Sequence, residues 1–133
     1  EFVEINWDTK VVELDAKSID CIWNGMTLTD DITANTACTK AYAKNAQVVV
    51  MKADADYSST ADLVGKTIVA EAGSAGTDYA NLAIKDELNA EEYGVAFRKG
   101  SDTADAVNAA FDELKADGTM QALADKYSLT LAD

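Results

Sequence analysis

The chain has few side chains that could perform acid–base, nucleophilic or metal chemistry. It contains no histidine and two cysteines, and its 24 acidic residues outnumber its 11 basic ones. Without histidine, the usual general base and the commonest metal ligand are missing, and a cysteine nucleophile would lack its usual partner. The residue types therefore predict no catalytic site, and they call for no cofactor.

Two segments begin like ligand-binding loops but do not complete the pattern. A calcium loop would start at Asp54 and Asp56, yet Ser59 stands where its glycine is needed and Gly65 where its glutamate is needed. The glycine-rich run 73–76 lacks the Lys-Ser/Thr ending of a phosphate loop. We therefore predict no metal and no phosphate site in these segments.

The net negative charge of the chain limits the kinds of partner that it can bind. The net charge is −13, which argues against nucleic acid and anionic membrane surfaces. Hydrophobic residues make up 48% of the chain, as in a globular protein, and no apolar run approaches the ~20 residues of a membrane span. Acidic pairs such as Glu91 and Glu92 are interpreted as solvated side chains.

The two cysteines, Cys21 and Cys38, leave two interpretations open. A disulfide between them would close a modest loop and contribute about 3 kcal/mol. Alternatively, both are small buried apolar residues with free thiols. The sequence does not choose between the two.

The hydrophobic pattern predicts alternating strands and helices. Strands are expected at 2–5, 19–23, 47–52, 67–70 and 92–98, of which 47–52 (QVVVMK) has the clearest strand pattern. Helices are expected at 8–16, 78–88, 102–117 and 119–127, with single helical turns near 30 and 61–64. Such alternation implies βα units and a largely parallel sheet.

Four segments, taken in order, resemble one family. They are NWD at 6–8, NGMTLT at 24–29, LVGKTIVAEAGS at 63–74 and YGVAFRKGS at 93–101. This order is similar to that of the extracellular solute-binding proteins of the polar amino-acid type, family 3. The resemblance implies an α/β fold, namely a type II periplasmic-binding-protein lobe with a mostly parallel sheet and an incomplete second lobe.

The resemblance also implies a division of the chain and a task. Residues 1–52 and 99–133 correspond to the first lobe without the family's first strand and helix, and 53–98 to the hinge strands and a remnant of the second lobe. The family captures a polar amino acid extracellularly, periplasmically or from a membrane-anchored lipoprotein, and delivers it to an ABC-transporter permease. A chain shortened in this way is expected to bind weakly or not at all, and not to be an enzyme.

Part of the ligand site is implied near the start of the chain. Trp7 matches the family's aromatic wall, although a core tryptophan fits the same pattern. Asn24, Gly25 and Thr27 match the strand-end segment that meets the polar end of the ligand, beyond a strand where such sheets bind ligands. A plain turn with a helix cap is the alternative for these three.

The resemblance implies the other part of the ligand site at the end of the LVGKTIVAEAGS segment, 63–74, and in the residue after it. Ser74 and Ala75 match a turn whose backbone N–H groups bind the ligand carboxylate, or else an ordinary capped helix. Glu71 matches a position that lines the side-chain pocket, or else is an exposed acid at a strand end. Ile32 departs from the family, which has at this position an arginine that clamps the carboxylate.

A second kind of function stays open beside ligand binding. The chain could be an engineered or naturally deleted scaffold that binds no ligand. A sheet without its first strand exposes an edge, and exposed edges invite pairing. This interpretation predicts an edge-paired or swapped homodimer.

Overall fold

A computed structural model describes residues 1–76 and 90–133. Its described strands form one five-stranded sheet flanked by short helices. The strands are β1 (Cys21–Thr27), β2 (Thr36–Cys38), β3 (Ala43–Ala46), β4 (Ala90–Arg98) and β5 (Thr130–Leu131). The helices are α1 (Lys10–Asp15), α2 (Asp30–Asn35), α3 (Thr103–Ala116) and α4 (Thr119–Tyr127), with 3-10 turns at Trp7–Thr9 and Thr60–Leu63.

Strand β4 is the centre of the sheet. It pairs with β1 on one side and with both β2 and β3 on the other, while β5 extends the sheet beyond β3. All of these pairings are antiparallel, so the α/β class is confirmed but the expectation of a mostly parallel sheet is wrong for the described strands. The reason is that one returning strand, β4, runs against every strand that precedes it.

Both faces of β4 are covered, which explains its continuous apolar sequence from Val95 to Phe97. One face carries Ala96 and packs against α1 and α2, through residues that include Leu14 and Ile32. The other face carries Val95 and Phe97 and packs against α3 and α4. Its cluster is completed by Ala104, Phe111 and Met120.

Three predicted strands are absent from the structure where it is described. Residues 2–5, 47–52 and 67–70 form neither helix nor strand, and Val50 is 88% exposed. Apolar alternation alone does not make a strand, because a strand also needs a partner for its backbone groups. The neighbouring β3 (Ala43–Ala46), with a weaker strand pattern, has that partner in β4.

The predicted helices are largely found. Helix α2 begins after Thr29, whose hydroxyl accepts a hydrogen bond from the backbone N–H of Ile32 at 3.3 Å, as an N-cap should. Helix α3 ends before Gly118, which has φ +83°, a conformation that favours glycine. The helix predicted at 78–88 lies outside the described residues.

The cysteine alternatives are resolved by the register of the sheet. Both thiols are free. Cys21 pairs with Phe97 and Cys38 with Ala96, on opposite sides of β4. Because Phe97 and Ala96 point to opposite faces, the two thiols do so as well. The disulfide left open by the sequence is therefore not formed, and both side chains pack as small apolar groups.

Candidate functional site

The first candidate segment lies partly in a β-bulge, with Asn24 and Gly25 inside the bulge and Thr27 at the end of β1. Ile22 pairs with Ala96 and Met26 with Gly94, so three residues of β1 face a single residue of β4. Gly25, within the bulge, has φ +55°, and the place of a Cβ is 3.4 Å from the ring of Tyr93. Bulges re-aim the side chains beside them, and Asn24 is exposed here.

Thr27, the next candidate, contacts a buried carboxylate that sequence reasoning misinterpreted. Its hydroxyl donates to Oε2 of Glu91 at 3.1 Å. The same oxygen accepts from the side-chain amides of Asn45 at 3.2 Å and Gln47 at 2.8 Å. Glu91 is only 6% exposed, so the prediction of a solvated acid is wrong for this residue.

The phenol of Tyr93 borders this carboxylate. Burial raises the pKa of Tyr93, and the negative charge of Glu91 raises it further. Burial likewise raises the pKa of Tyr42, whose phenol lies beside Trp23 and the backbone of Gly25. Both phenols are therefore neutral near pH 7 and are available only as hydrogen-bonding groups.

The second candidate segment is a tight turn at residues 71–76. Ser74 donates to the carbonyl of Glu71 from both its hydroxyl, at 2.7 Å, and its backbone N–H, at 3.2 Å. Ala75 and Gly76 have helical backbone. Glu71 itself is exposed. The geometry is that of a chain reversal followed by helical backbone at Ala75 and Gly76.

This turn is seated against the segment that carries Trp7. Gly73 has φ +68°, and a Cβ there would lie 2.6 Å from the Cα of Asp8. Lys10 donates from Nζ to the carbonyl of Gly73 at 2.8 Å and to that of Trp7 at 3.2 Å. Its ammonium also lies 5.0 Å from the centre of the Trp7 ring, within cation–π range. Lys10 was not singled out from the sequence.

Gln47 joins the two candidate segments. Its amide donates to Glu91, while its Oε1 lies 3.0 Å from the place of a Cβ on Gly76. A series of contacts thus runs from Thr27 through Glu91 and Gln47 to the 71–76 turn, and from this turn through Lys10 to Trp7. Asn24 and Gly25 lie in the bulge two to three residues before Thr27.

Neither the position of the family's arginine clamp nor the arginine that the chain does contain takes part in these contacts. Ile32 is 5% exposed and belongs to the core under α1 and α2. Arg98, the chain's sole arginine, lies at the far end of β4. There its guanidinium donates to the carbonyls of Leu14 and Ile19 and to the carboxylate of Asp20.

Trp7 belongs partly to the core, and its role as an aromatic wall stays a prediction. Its ring packs against the cluster under α1 and α2 while staying half-buried. The second tryptophan, Trp23, lies on the other face, where its ring meets Tyr42 and Phe111 edge-on at 6.3 and 6.0 Å. The two indoles therefore report on opposite faces of the sheet.

The family of the chain follows from a match over almost its whole length. The family model of bacterial extracellular solute-binding proteins, family 3, matches residues 1–130. The chain belongs to this family. Within the part of the chain that the structure describes, no helix is long and apolar enough to cross a membrane.

Solved structures with the same fold are amino-acid-binding proteins. A substrate-binding protein of an ABC uptake transporter from Streptococcus pneumoniae, with bound histidine, is 26% identical at a TM-score of 0.84, covering 95% of this chain and 74% of its own. Holo ArgBP from T. maritima is 22% identical at a TM-score of 0.66, and the match covers 86% of this chain and 72% of ArgBP. The ancestral amino acid-binding protein AncCDT-1, a precursor of cyclohexadienyl dehydratase, is 20% identical at a TM-score of 0.66. The match covers 95% of this chain and 76% of AncCDT-1.

Proposed function

We propose that this chain binds a polar amino acid outside the cytoplasmic membrane, as the solute-binding component of an ABC transporter. The observation that carries the proposal is the series of contacts at the candidate site. It links Thr27 through Glu91 and Gln47 to the 71–76 turn, and the turn through Lys10 to Trp7. These are the segments from which the family resemblance derives an aromatic wall and two polar anchors.

Binding by this chain is expected to be weak. The core residue Ile32 replaces the arginine whose paired N–H groups would hold the ligand carboxylate. Backbone N–H groups of the turn at Ser74 and Ala75 are the remaining donors of the matched motif. A ligand held with less burial and fewer charged contacts binds with a Kd of about 1 mM, which corresponds to about −4 kcal/mol.

We propose the lobe assignment on the same basis. Residues 1–52 and 99–133 form the first lobe, and 53–98 hold the hinge strands and a reduced second lobe. Support comes from residues 53–76, which contribute one 3-10 turn and no strand. The ligand is handed to the transporter's membrane component, and no catalytic step is part of the proposal.

Amino-acid titrations followed by NMR test the binding proposal. The indole N–H of Trp7 is the reporter, assigned with the variant W23F. At least one polar amino acid is expected to shift the Trp7 signal saturably. If none of the twenty amino acids shifts Trp7, this chain is not an amino-acid binder.

A second candidate function, self-association as a scaffold, is favoured by two exposed features. The outer edge of β1 has no strand partner among the described residues. The run 48–50 is apolar, exposed and outside the sheet, with Val48 at 72% and Val50 at 88%. Unpaired edges and apolar extended segments are templates for pairing with a second copy.

The oligomeric state separates this candidate from a monomeric binder. If the chain self-associates as a scaffold, light scattering should give twice the monomer mass at high protein concentration. V50K should restore the monomer, whereas V12K, which places the same charge on the exposed face of α1, should not. A monomer at every concentration contradicts the scaffold candidate.

A further inference from the structure

The turn at residues 71–76 uses one of its own donors. Ser74 donates to the carbonyl of Glu71 from its hydroxyl, at 2.7 Å, and from its backbone N–H, at 3.2 Å. This N–H is one of those that the family resemblance assigns to the ligand carboxylate. It already has an acceptor within the chain, so a ligand must compete with the carbonyl of Glu71 for it.

The ring of Trp7 is engaged as well. Nζ of Lys10 lies over the ring, 5.0 Å from its centre, and the ring also packs against the core cluster that contains Leu14. A positive charge over an indole is attracted by the negative face of the π system. A ligand that stacks on the ring beneath this ammonium must first displace it.

The ammonium of Lys10 joins these two parts of the candidate site. It donates to the carbonyl of Trp7 at 3.2 Å and to that of Gly73 at 2.8 Å. Because an ammonium group has three donors, one side chain can hold both carbonyls at once. Lys10 is the first residue of α1, where the partial positive charge of a helix N-terminus disfavours a cation. The helix therefore gives no reason for a lysine here, whereas the two carbonyls and the indole do.

The turn and the segment of Trp7 touch through their main chains. A Cβ on Gly73 would lie 2.6 Å from the Cα of Asp8 and 3.2 Å from its Cβ. The gap is too small for a methyl group, so no part of a ligand can enter it. A ligand that binds between the turn and Trp7 therefore requires the two to separate.

We propose that Lys10 holds the candidate site closed on itself, as an internal cation that covers Trp7 and fastens the 71–76 turn. A ligand binds only after the ammonium leaves Trp7 and Gly73 and the turn lifts from Asp8. The apparent affinity is then lowered in proportion to the rarity of the open form. The effect on ligand binding rests on the proposed function, whereas the closure itself does not.

Lysine side-chain signals in NMR spectra test the closure without any ligand. The ring current of an indole shifts protons that lie over its face upfield. The Hε protons of Lys10 should therefore resonate upfield of those of Lys17, an exposed lysine just beyond α1. The variant K10R assigns the Lys10 signal by removing it. Equal positions for the two lysines would show that the ammonium does not rest on Trp7 and would overturn the inference.

Titration with each of the twenty amino acids tests the effect of the closure on binding. An amino acid that shifts the Trp7 indole signal should return the Hε signal of Lys10 to the position of Lys17 over the same concentration range, because the ligand takes the place of the ammonium. If Trp7 shifts while Lys10 stays upfield, the ligand binds without opening the site, and the inference is wrong.

The variants K10M and K17M form a matched pair. Both replace a lysine by methionine and remove one positive charge, but Lys10 contacts the turn and Lys17 is exposed. K10M should tighten amino-acid binding by about threefold or more, since the closed form loses its ammonium contacts, and K17M should change it by less than about twofold. K10R keeps the charge, the donors and the ability to lie on an aromatic face, so it should bind like the unaltered chain.

The sign of the K10M effect separates closure from a merely structural role. A lysine that only supported the site would weaken binding when replaced, so equal or weaker binding by K10M overturns the inference. Failure of the proposed function gives a different result. If no amino acid shifts Trp7 in the unaltered chain or in K10M, the chain is not an amino-acid binder, and the position of the Lys10 signal still decides whether the site is closed.

Discussion

Replacing Gly73 by alanine tests whether the 71–76 turn is seated on the segment of Trp7. The Cβ would come 2.6 Å from the Cα of Asp8, and the residue has φ +68°. Gly65 provides the control, because it has φ +77° but nothing within 4 Å of its Cβ position. G65A therefore carries only the backbone penalty, whereas G73A carries the same penalty and a clash with main chain.

The magnitudes follow from these two contributions. An L-residue in the left-handed region costs about 1–2 kcal/mol. Overpacking against atoms that cannot move away adds about 1–3 kcal/mol. We therefore expect G65A to lower the free energy of unfolding by about 1–2 kcal/mol and G73A by about 2–5 kcal/mol.

Urea unfolding of both variants measures the difference, and the Trp7 indole signal reports locally on the turn. Lys10→Met adds a further check, because Lys10 donates to the carbonyl of Gly73. Losing that bond should cost about 0.5–1.5 kcal/mol in the unaltered chain. In G73A the turn is already displaced, so K10M should cost less there.

Equal losses for G73A and G65A would refute the reasoning. So would a full K10M penalty in the G73A background combined with an unshifted Trp7 signal. Either result would mean that the turn does not rest on Asp8. The series of contacts from Thr27 to Trp7 would then be interrupted between the 71–76 turn and Trp7, and the proposed function would lose that support.

Three further predictions concern the core, the thiols and one cap. Leu14→Ala should lower the free energy of unfolding, measured in urea, by about 2–5 kcal/mol, because Leu14 is 0% exposed. Val12→Ala, at a position that is 65% exposed, should change it by less than about 0.5 kcal/mol. Thiol titration of the unfolded chain should count both Cys21 and Cys38 without prior reduction; a count of zero would contradict the free thiols. Backbone N–H groups of Ser58 and Ser59 hold the pKa of Asp62 below its usual value. The cap therefore contributes fully above the ordinary carboxyl pKa and is lost as pH falls through the lowered one. Protection of these two amides against hydrogen exchange, relative to the intrinsic rate at each pH, should fall in that acidic range, and D62N should remove this pH dependence.

The elements that the sequence located correctly are those whose signals are local. Helix α3 has its apolar positions at helical spacing and a glycine just beyond its end, and both features act within the helix itself. The family match likewise depends on short motifs. The 47–52 run was predicted wrongly because a strand depends on a partner elsewhere in the chain, and β4 pairs with Ala43–Ala46 instead.

The candidate site was only partly accessible to sequence reasoning for the same reason. The resemblance singled out Trp7 and Thr27, whose binding roles stay predictions, but the buried carboxylate of Glu91 depends on donors up to 64 positions away. A glutamate next to another glutamate is normally solvated. The signal that could have identified it is its place in β4: it lies two residues before Tyr93, and so on the same face as Tyr93, Val95 and Phe97.

The central position of β4 has a consequence for how the chain folds during its synthesis. In the described sheet, β1, β2 and β3 do not pair with one another. They pair with β4, and β3 also pairs with β5, and both of these strands follow all three in sequence. Until Ala90–Arg98 has left the ribosome, at about 5–20 residues per second, these strands have no ladder to join. Residues 21–46, which supply β1, β2 and β3, must therefore wait without strand partners, and in a nascent chain stopped before β4 they should be cut by protease as readily as an unfolded polypeptide.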